Sequence, residues 1–164
     1  MGPEVSQFLK LVGPGEAAGT LDSLGLAEKS LAFFAVNSQS DPSRSGGTHW
    51  SLLVYHVPSA AFYHLDSAGA ANESEARTLA AAVGGKNQLI AFQSLPPRAS
   101  LQQSNGHDCG VFLLANAEHV TRHFLSAGSV FNADGLTAVN RDRVTGFRMY
   151  LRELVLKLSQ QENS

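Results

Sequence analysis

Apolar side chains near the N-terminus recur every three or four residues, which is the spacing of one face of an α-helix. The residues that follow this pattern are Val5, Phe8, Leu9 and Val12. Pro3 suits the first turn of such a helix, because a helix leaves its first backbone N–H groups unpaired and proline has none. Gly13-Pro14-Gly15 predicts the end of this helix, and residues 16–24 predict a second short helix before Gly25.

Four later segments predict β-strands, because they are short, rich in apolar and aromatic residues, and bounded by proline, glycine or polar residues. These segments are Leu31 to Val36, Trp50 to Val57, Phe62 to Leu65 and Leu89 to Phe92. The second and third are joined around Pro58-Ser59, so they predict a hairpin. A turn at Pro96-Pro97 follows the fourth, and a polar loop, residues 37–47, separates the first strand from the second. Loops of this kind often carry functional side chains.

Three further segments predict helices, and they are Glu73 to Val83, Asp108 or Cys109 to about Phe124, and Arg141 to Leu158. The last has an apolar face, made by Val144, Phe147, Leu151, Leu154 and Leu158. The pattern as a whole predicts a helix-rich α+β domain with one sheet of about four strands. At 164 residues, with no linker, charge block or repeat, we expect residues 1–164 to form one domain.

The composition narrows the classes of function. Lysine and arginine number 12 against 14 aspartate and glutamate, so the net charge of −2 argues against nucleic acid or a membrane surface as a partner. No apolar run approaches the roughly 20 residues that cross a bilayer, and no signal peptide is visible. The single cysteine excludes an internal disulfide and a multi-cysteine zinc site. We therefore expect an intracellular domain in a reducing compartment. The thiol chemistry considered below requires neither a metal nor an organic cofactor.

That single cysteine, Cys109, stands where a polar, glycine-containing loop meets a predicted helix. A thiol at a helix N-terminus lies beside unpaired backbone N–H groups, which lower its pKa and increase its thiolate fraction. Gly110 directly after it adds no side-chain bulk, so backbone amides can approach a reacting carbonyl. A free cysteine is also common as a simple buried residue, and the spacing alone leaves these two readings open.

A nucleophilic thiol needs an imidazole as general base. Of six histidines, His49 ends a glycine-rich loop and begins a strand, which places it at the end of the sheet, where sites are commonly built. His107 is the local rival, but it lies only two residues before the thiol, and the short connection disfavours a good approach. His56 and His64 fit strand faces as structural or exposed residues. His119 and His123 have helical spacing but no further ligand, so we expect no metal site.

The imidazole in turn needs an orienting group. Asp66 ends the second hairpin strand, so pairing of the two strands would bring it beside His49. Asp108 is the competing carboxylate, and as the neighbour of Cys109 it is better placed to cap the helix. Gln103, six residues before the cysteine, offers an amide that can donate a hydrogen bond to an oxyanion.

Three stretches together resemble the sentrin/SUMO-specific protease family, the Ulp-type cysteine proteases. They are Thr48-His49-Trp50-Ser51-Leu52, Tyr63-His64-Leu65-Asp66-Ser67, and residues 103–110 ending in Asp108-Cys109-Gly110. They occur in the family's order of His, Asp, Gln and Cys with similar spacing. The longer stretch GGTHWSLLVY, with Asn116-Ala117-Glu118 and the opening PEVSQF, is most similar to the deneddylase branch.

The resemblance implies a papain-like α+β fold with a central mixed sheet packed by helices. It implies His49 as general base, Asp66 as its orienter, Cys109 as nucleophile and Gln103 as oxyanion-hole donor. Trp50 would line the channel that admits the Gly-Gly tail of the modifier.

The same resemblance implies a class of substrate, and the sequence differs from the family in one feature. The expected partners are NEDD8, with SUMO or ubiquitin as alternatives, and their conjugates such as cullins, in the cytoplasm or nucleus. A non-catalytic module that only binds such a modifier is the alternative from a different class. The family normally carries an N-terminal segment with a Trp-Leu-Asn-Asp type motif, which this sequence lacks, so we expect a truncated fold and weaker binding or slower turnover.

Overall fold

Four strands and four α-helices make up the computed structural model, which describes residues 1–41, 46–85, 91–96, 102–130 and 141–161. In chain order the elements are α1 (Pro3–Ser23), β1 (Leu31–Asn37), β2 (Trp50–His56), β3 (Ala61–Leu65), α2 (Glu73–Gly84), β4 (Ala91–Ser94), α3 (Cys109–Ala127) and α4 (Arg141–Gln161). Short 3₁₀ turns occupy Leu26–Glu28 and Val57–Ser59.

The strands form one mixed sheet in the order β1-β2-β3-β4. β1 and β3 both run antiparallel to β2, whereas β4 runs parallel to β3. The predicted hairpin is therefore confirmed. Asn37 pairs with Trp50 and Leu65 pairs with Leu52. This register places His49, just before β2, and Asp66, just after β3, at the same end of the sheet.

Helices cover both faces of the sheet, and β2 shows why. Leu53 and Tyr55 lie in a core cluster with residues of α1 and α2, while Leu52 and Val54 lie in a second cluster with Val120 of α3. Successive side chains of a strand point to opposite faces, so a central strand covered on both sides is apolar at nearly every position. The α+β class and the four-stranded mixed sheet predicted from the sequence are confirmed.

Helix α1 contains a kink where the sequence predicts a boundary between two helices. Gly13 has φ 76° and ψ 175°, and Pro14 follows it directly. A residue with a side chain rarely adopts a positive φ, so glycine is what permits this break. The two predicted helices are therefore the two arms of α1.

Several predicted boundaries shift. The fourth strand extends to Ser94, and Leu89, Ile90 and Pro97 of the predicted strand and turn lie outside the described residues. Helix α3 continues to Ala127. Helix α4 packs inward only at its start: Val144 is buried, whereas Leu154 and Leu158, on the same predicted apolar face, are 37% and 51% exposed. None of the described helices combines the length and apolarity needed to cross a bilayer.

Candidate active site

A buried pair formed by His49 and Asp66 lies at the end of the central hairpin. Nε2 of the His49 ring is 2.6 Å from Oδ1 of Asp66, and the two residues are 8% and 1% exposed. The sequence predicted this meeting from strand pairing alone. The ring nitrogen that remains is Nδ1, which makes no hydrogen bond within the described part of the chain. Nδ1 is therefore the atom left to exchange a proton with a neighbouring group.

The carboxylate of Asp66 is held by the turn that follows it. The backbone N–H of Ala68 donates to Oδ1 at 2.8 Å, and that of Asn72 donates to Oδ2 at 2.9 Å. Burial by itself would raise the pKa of Asp66, but these two N–H groups and the His49 ring outweigh it and hold the pKa below its usual value. The group is therefore an anion at neutral pH, although it is almost fully buried. An anion in this position fixes the orientation of the imidazole and stabilises its protonated form.

Hydrogen bonds from Ser38 also hold the backbone around His49. The Ser38 hydroxyl accepts the N–H groups of Thr48 and His49 at 2.9 and 3.2 Å, and the Ser38 N–H donates to the His49 carbonyl at 3.1 Å. Gly47 has φ 129°, and a Cβ there would lie 1.9 Å from Oδ1 of Asn37. A side chain at position 47 would therefore displace the loop that presents the imidazole.

Asn72 joins the two halves of the pair, and sequence reasoning did not identify it. Its side-chain amide donates to the carbonyls of Val36 and His49 at 3.1 and 3.4 Å, while its backbone N–H binds Asp66. Asn72 is fully buried. The only available signal was an asparagine at the start of a predicted helix, which is equally typical of a helix cap.

Cys109 is the first residue of α3, and 6% of it is exposed. It is a free thiol. The helix has 19 residues, and the N–H groups of its first turn have no partner within the helix. A Cβ at Gly110 would meet no atom within 4 Å, so the glycine leaves open space beside the cysteine.

Asp108 occupies the cap position of α3, but the prediction that its side chain caps the helix was wrong. The carboxylate makes no capping hydrogen bond; it accepts from Asn105 Nδ2 at 2.8 Å and contacts the guanidinium of Arg148 on α4. The Asn105 hydrogen bond and then Arg148 hold the pKa of Asp108 below its usual range. A charged partner attracts the carboxylate more strongly than a neutral backbone N–H, which explains why it turns away from the helix.

Gln103 lies against the turn that follows Asp66. Its backbone N–H donates to the Ser67 carbonyl at 2.8 Å, and its side-chain Oε1 accepts from the Ser67 hydroxyl at 2.7 Å. Its Nε2 donates to the Asn105 carbonyl at 2.7 Å. A primary amide carries two hydrogens on nitrogen, so one remains for another acceptor. Gln103 thus joins the Asp66 turn to the loop that leads into Cys109.

Trp50 is half-buried and borders an apolar cavity of about 330 Å³ between β1, β2 and α3. The other lining residues are Met1, Pro3, Phe33, Phe34, Ala35, Leu52, Gly110, Leu113, Leu114 and Ala117. Trp50 and Gly110 follow His49 and Cys109 directly in sequence. The residue that follows each of the groups expected to carry the chemistry therefore lines the cavity.

The other histidines have different surroundings. His107 is exposed, which sets it apart from the buried pair formed by His49. His64 is fully buried, with Nε2 2.9 Å from the Ser51 hydroxyl and Nδ1 3.3 Å from that of Ser94. Burial lowers the pKa of His64 to about 4, so this ring is neutral and structural at neutral pH. Among the described residues, no group of three or more histidine, cysteine, aspartate or glutamate side chains could hold a metal ion.

The sequence is similar to a known protein family over most of its length. Residues 26–160 match the description "Ulp1 protease family, C-terminal catalytic domain". The chain is 39% identical over 127 residues to sentrin-specific protease 8 of Homo sapiens, and the aligned region covers 74% of this chain and 58% of that protein. It is 37% identical over 139 residues to NEDD8-specific protease 1 of Arabidopsis thaliana, which covers 82% of this chain and 60% of that protein. The matched part thus spans somewhat more than half the length of these relatives.

Solved structures show the same fold. The Xanthomonas campestris effector XopD bound to ubiquitin matches with a TM-score of 0.63 at 25% identity, covering 89% of this chain and 76% of that one. The C-terminal Ulp1 protease domain in complex with Smt3, the yeast ortholog of SUMO, matches with a TM-score of 0.56 at 15% identity, covering 94% and 74%. The chain therefore belongs to the Ulp1 protease family, and most of it corresponds to the C-terminal catalytic domain.

Proposed function

We propose that residues 1–164 act as a single catalytic domain, a cysteine peptidase and isopeptidase that cleaves a ubiquitin-like modifier after its C-terminal Gly-Gly. The observation that carries this proposal is the buried 2.6 Å contact between His49 and Asp66, whose carboxylate is held by two backbone N–H groups. A polarised imidazole and a thiol at a helix N-terminus are the two parts that covalent acyl transfer requires.

The proposed first half of the reaction forms a thioester. The Cys109 sulfur gives its proton to Nδ1 of His49 and bonds to the carbonyl carbon of the terminal glycine. The tetrahedral intermediate then collapses, the C–N bond breaks, and His49 protonates the leaving amine. That amine is a backbone nitrogen in a precursor and a lysine nitrogen in a conjugate.

The second half of the proposed reaction is hydrolysis. His49 takes a proton from water, the hydroxide bonds to the thioester carbon, and the C–S bond breaks. The sulfur recovers a proton from His49, and the modifier leaves with a free carboxylate. Asp66 remains ionised throughout and stabilises the imidazolium that forms in each half.

The oxyanion of both tetrahedral intermediates needs hydrogen-bond donors. We assign this role to the second amide hydrogen of Gln103 and to the backbone N–H of Cys109. Donors of this kind typically contribute about 10² to 10³ in rate. Trp50 follows His49 in sequence and lines the cavity. We assign it to the channel for the Gly-Gly tail, where side chains larger than hydrogen would not pass.

NEDD8 is the modifier we favour, because two of the similar proteins are named sentrin-specific protease 8 and NEDD8-specific protease 1. Cullin conjugates in the cytoplasm or nucleus are the corresponding natural substrates in this proposal. A preference for SUMO or ubiquitin is the second candidate, since the structures that match hold Smt3 and ubiquitin. A module that binds the modifier without cleaving it is the third.

Hydrolysis of three modifiers, each bearing a C-terminal coumarin amide, tests the proposal. We expect kcat/KM to be highest for NEDD8, and activity to disappear in Cys109→Ala and His49→Ala while surviving in the matched variant His107→Ala. A preference for SUMO or ubiquitin would overturn the choice of modifier alone. Tight binding without release of coumarin would mean that the protein binds the modifier but does not cleave it.

A further inference from the structure

Two short segments, residues 66–69 and residues 102–103, are joined by four hydrogen bonds. The Gln103 N–H donates to the Ser67 carbonyl at 2.8 Å, and the Ser67 hydroxyl donates to Gln103 Oε1 at 2.7 Å. The Gln102 amide donates to the Asp66 carbonyl at 3.0 Å and accepts the Gly69 N–H at 2.6 Å. One turn therefore carries the orienting carboxylate and also contacts the amide assigned to the oxyanion.

The orientation of the Gln103 amide follows from its two partners. The Asn105 carbonyl can only accept a hydrogen bond, so the atom 2.7 Å from it must be Nε2. Oε1 then faces the Ser67 hydroxyl, which can donate. The final torsion of a glutamine side chain is broad and roughly two-fold, so without such partners the amide would rotate easily. Ser67 is 3% exposed, which means that water does not readily replace its hydroxyl.

We propose that Ser67 is a positioning residue, whose hydroxyl holds Oε1 of Gln103 so that the free amide hydrogen points to the oxyanion. This inference rests on the proposed function. It makes a specific statement about mechanism: Ser67 acts only through Gln103, and it acts in the transition state. Its removal should therefore lower kcat with little change in KM.

A double-mutant cycle tests the proposal with the coumarin amide of NEDD8. We expect Ser67→Ala to lower kcat about tenfold, less than the about 10² to 10³ expected for Gln103→Ala, because a misaligned amide still donates part of the time. In the Gln103→Ala background, Ser67→Ala should have no further effect on kcat. Ser67→Thr, which keeps the hydroxyl, should retain most of the activity.

The control for lost stability is Ser6→Ala. Ser6 is also a buried serine, 1% exposed, and its hydroxyl donates to the Gly2 carbonyl and accepts the Ala35 N–H. Ser6→Ala should be destabilised to a similar degree in thermal unfolding and yet keep its kcat.

Three results would overturn the proposal: an unchanged kcat in Ser67→Ala, equal losses in Ser67→Ala and Ser6→Ala, or a full multiplicative loss when Ser67→Ala is added to Gln103→Ala. In each of these cases wild-type protein would still turn over substrate through Cys109, so the proposed function would stand. Absence of turnover in wild type would instead overturn the function and the inference together.

Discussion

His64 makes the stability of this protein depend on pH in a calculable way. The ring is fully buried between the hydroxyls of Ser51 and Ser94. Burial lowers its pKa to about 4, and the nearby charges of Asp66 and Glu73 offset only part of that effect. In the unfolded chain the same histidine titrates near 6.5. Between these two values the unfolded chain binds a proton that the native protein does not.

The sign and size of the effect follow from linkage. The contribution of His64 to the unfolding free energy is largest above pH 6.5 and decreases as the pH falls from 6.5 to about 4. Below about pH 4 it changes no further. Each pH unit inside the window contributes about 1.4 kcal/mol, so the total loss of unfolding free energy is about 3 kcal/mol. This is a large fraction of the net stability of a typical domain.

Urea unfolding at a series of pH values from 7.5 to about 4 measures this loss. His64→Gln keeps a polar group in the site but does not titrate, so the fall in unfolding free energy across the window should be about 3 kcal/mol smaller than in wild type. His56→Gln, on the neighbouring strand, is the matched control and should follow the wild-type curve. Parallel curves for wild type and His64→Gln would refute the reasoning, because they would mean that burial of this ring does not suppress its protonation.

Three further variants test other parts of the site. Asp66→Asn keeps the side-chain volume but removes the charge that stabilises the imidazolium, and we expect kcat to fall by about 10⁴ with KM nearly unchanged in steady-state assays. Asn72→Ala removes two buried amide contacts but keeps the backbone N–H on the carboxylate, so urea unfolding should show a loss of about 1–2 kcal/mol. Arg148→Ala removes the charged partner of Asp108, the residue directly before the cysteine, and leaves only its Asn105 hydrogen bond. Alkylation of the cysteine by iodoacetamide should therefore slow about threefold. Arg152→Ala, one turn further along α4, is the control and should leave the alkylation rate unchanged. Each prediction is contradicted by its own result: a wild-type alkylation rate in Arg148→Ala, a wild-type unfolding free energy in Asn72→Ala, or a wild-type kcat in Asp66→Asn.

The sequence predicted the parts of the fold that depend on local pattern. The strands of the central hairpin are short apolar runs bounded by turn residues, and Gly13-Pro14 is typical of a helix break, so both were visible without a structure. The meeting of His49 and Asp66 was predictable for the same reason, because strand pairing fixes which residues share an end of a sheet.

The contacts that were not predictable join residues far apart in the chain through side-chain amides and charges. Gln102 and Asp66 are 36 residues apart, and nothing in either local sequence indicates that a glutamine amide will bind that turn. Arg148 lies 40 residues from Asp108, and its charge draws the carboxylate away from the cap position that the local pattern predicts. The apolar periodicity of α4 likewise specified which residues share a face, but not how far a partner extends along that face.

Reaction of the protein with NEDD8 that carries a C-terminal propargyl amide tests the central claim most directly, because the alkyne is placed where the scissile bond would be. Intact-mass measurement and peptide mapping should show one adduct, on Cys109, that forms far more slowly in His49→Gln and is absent in Cys109→Ala. Tight, specific binding of NEDD8 with no adduct, or an adduct that persists in Cys109→Ala, would contradict the account.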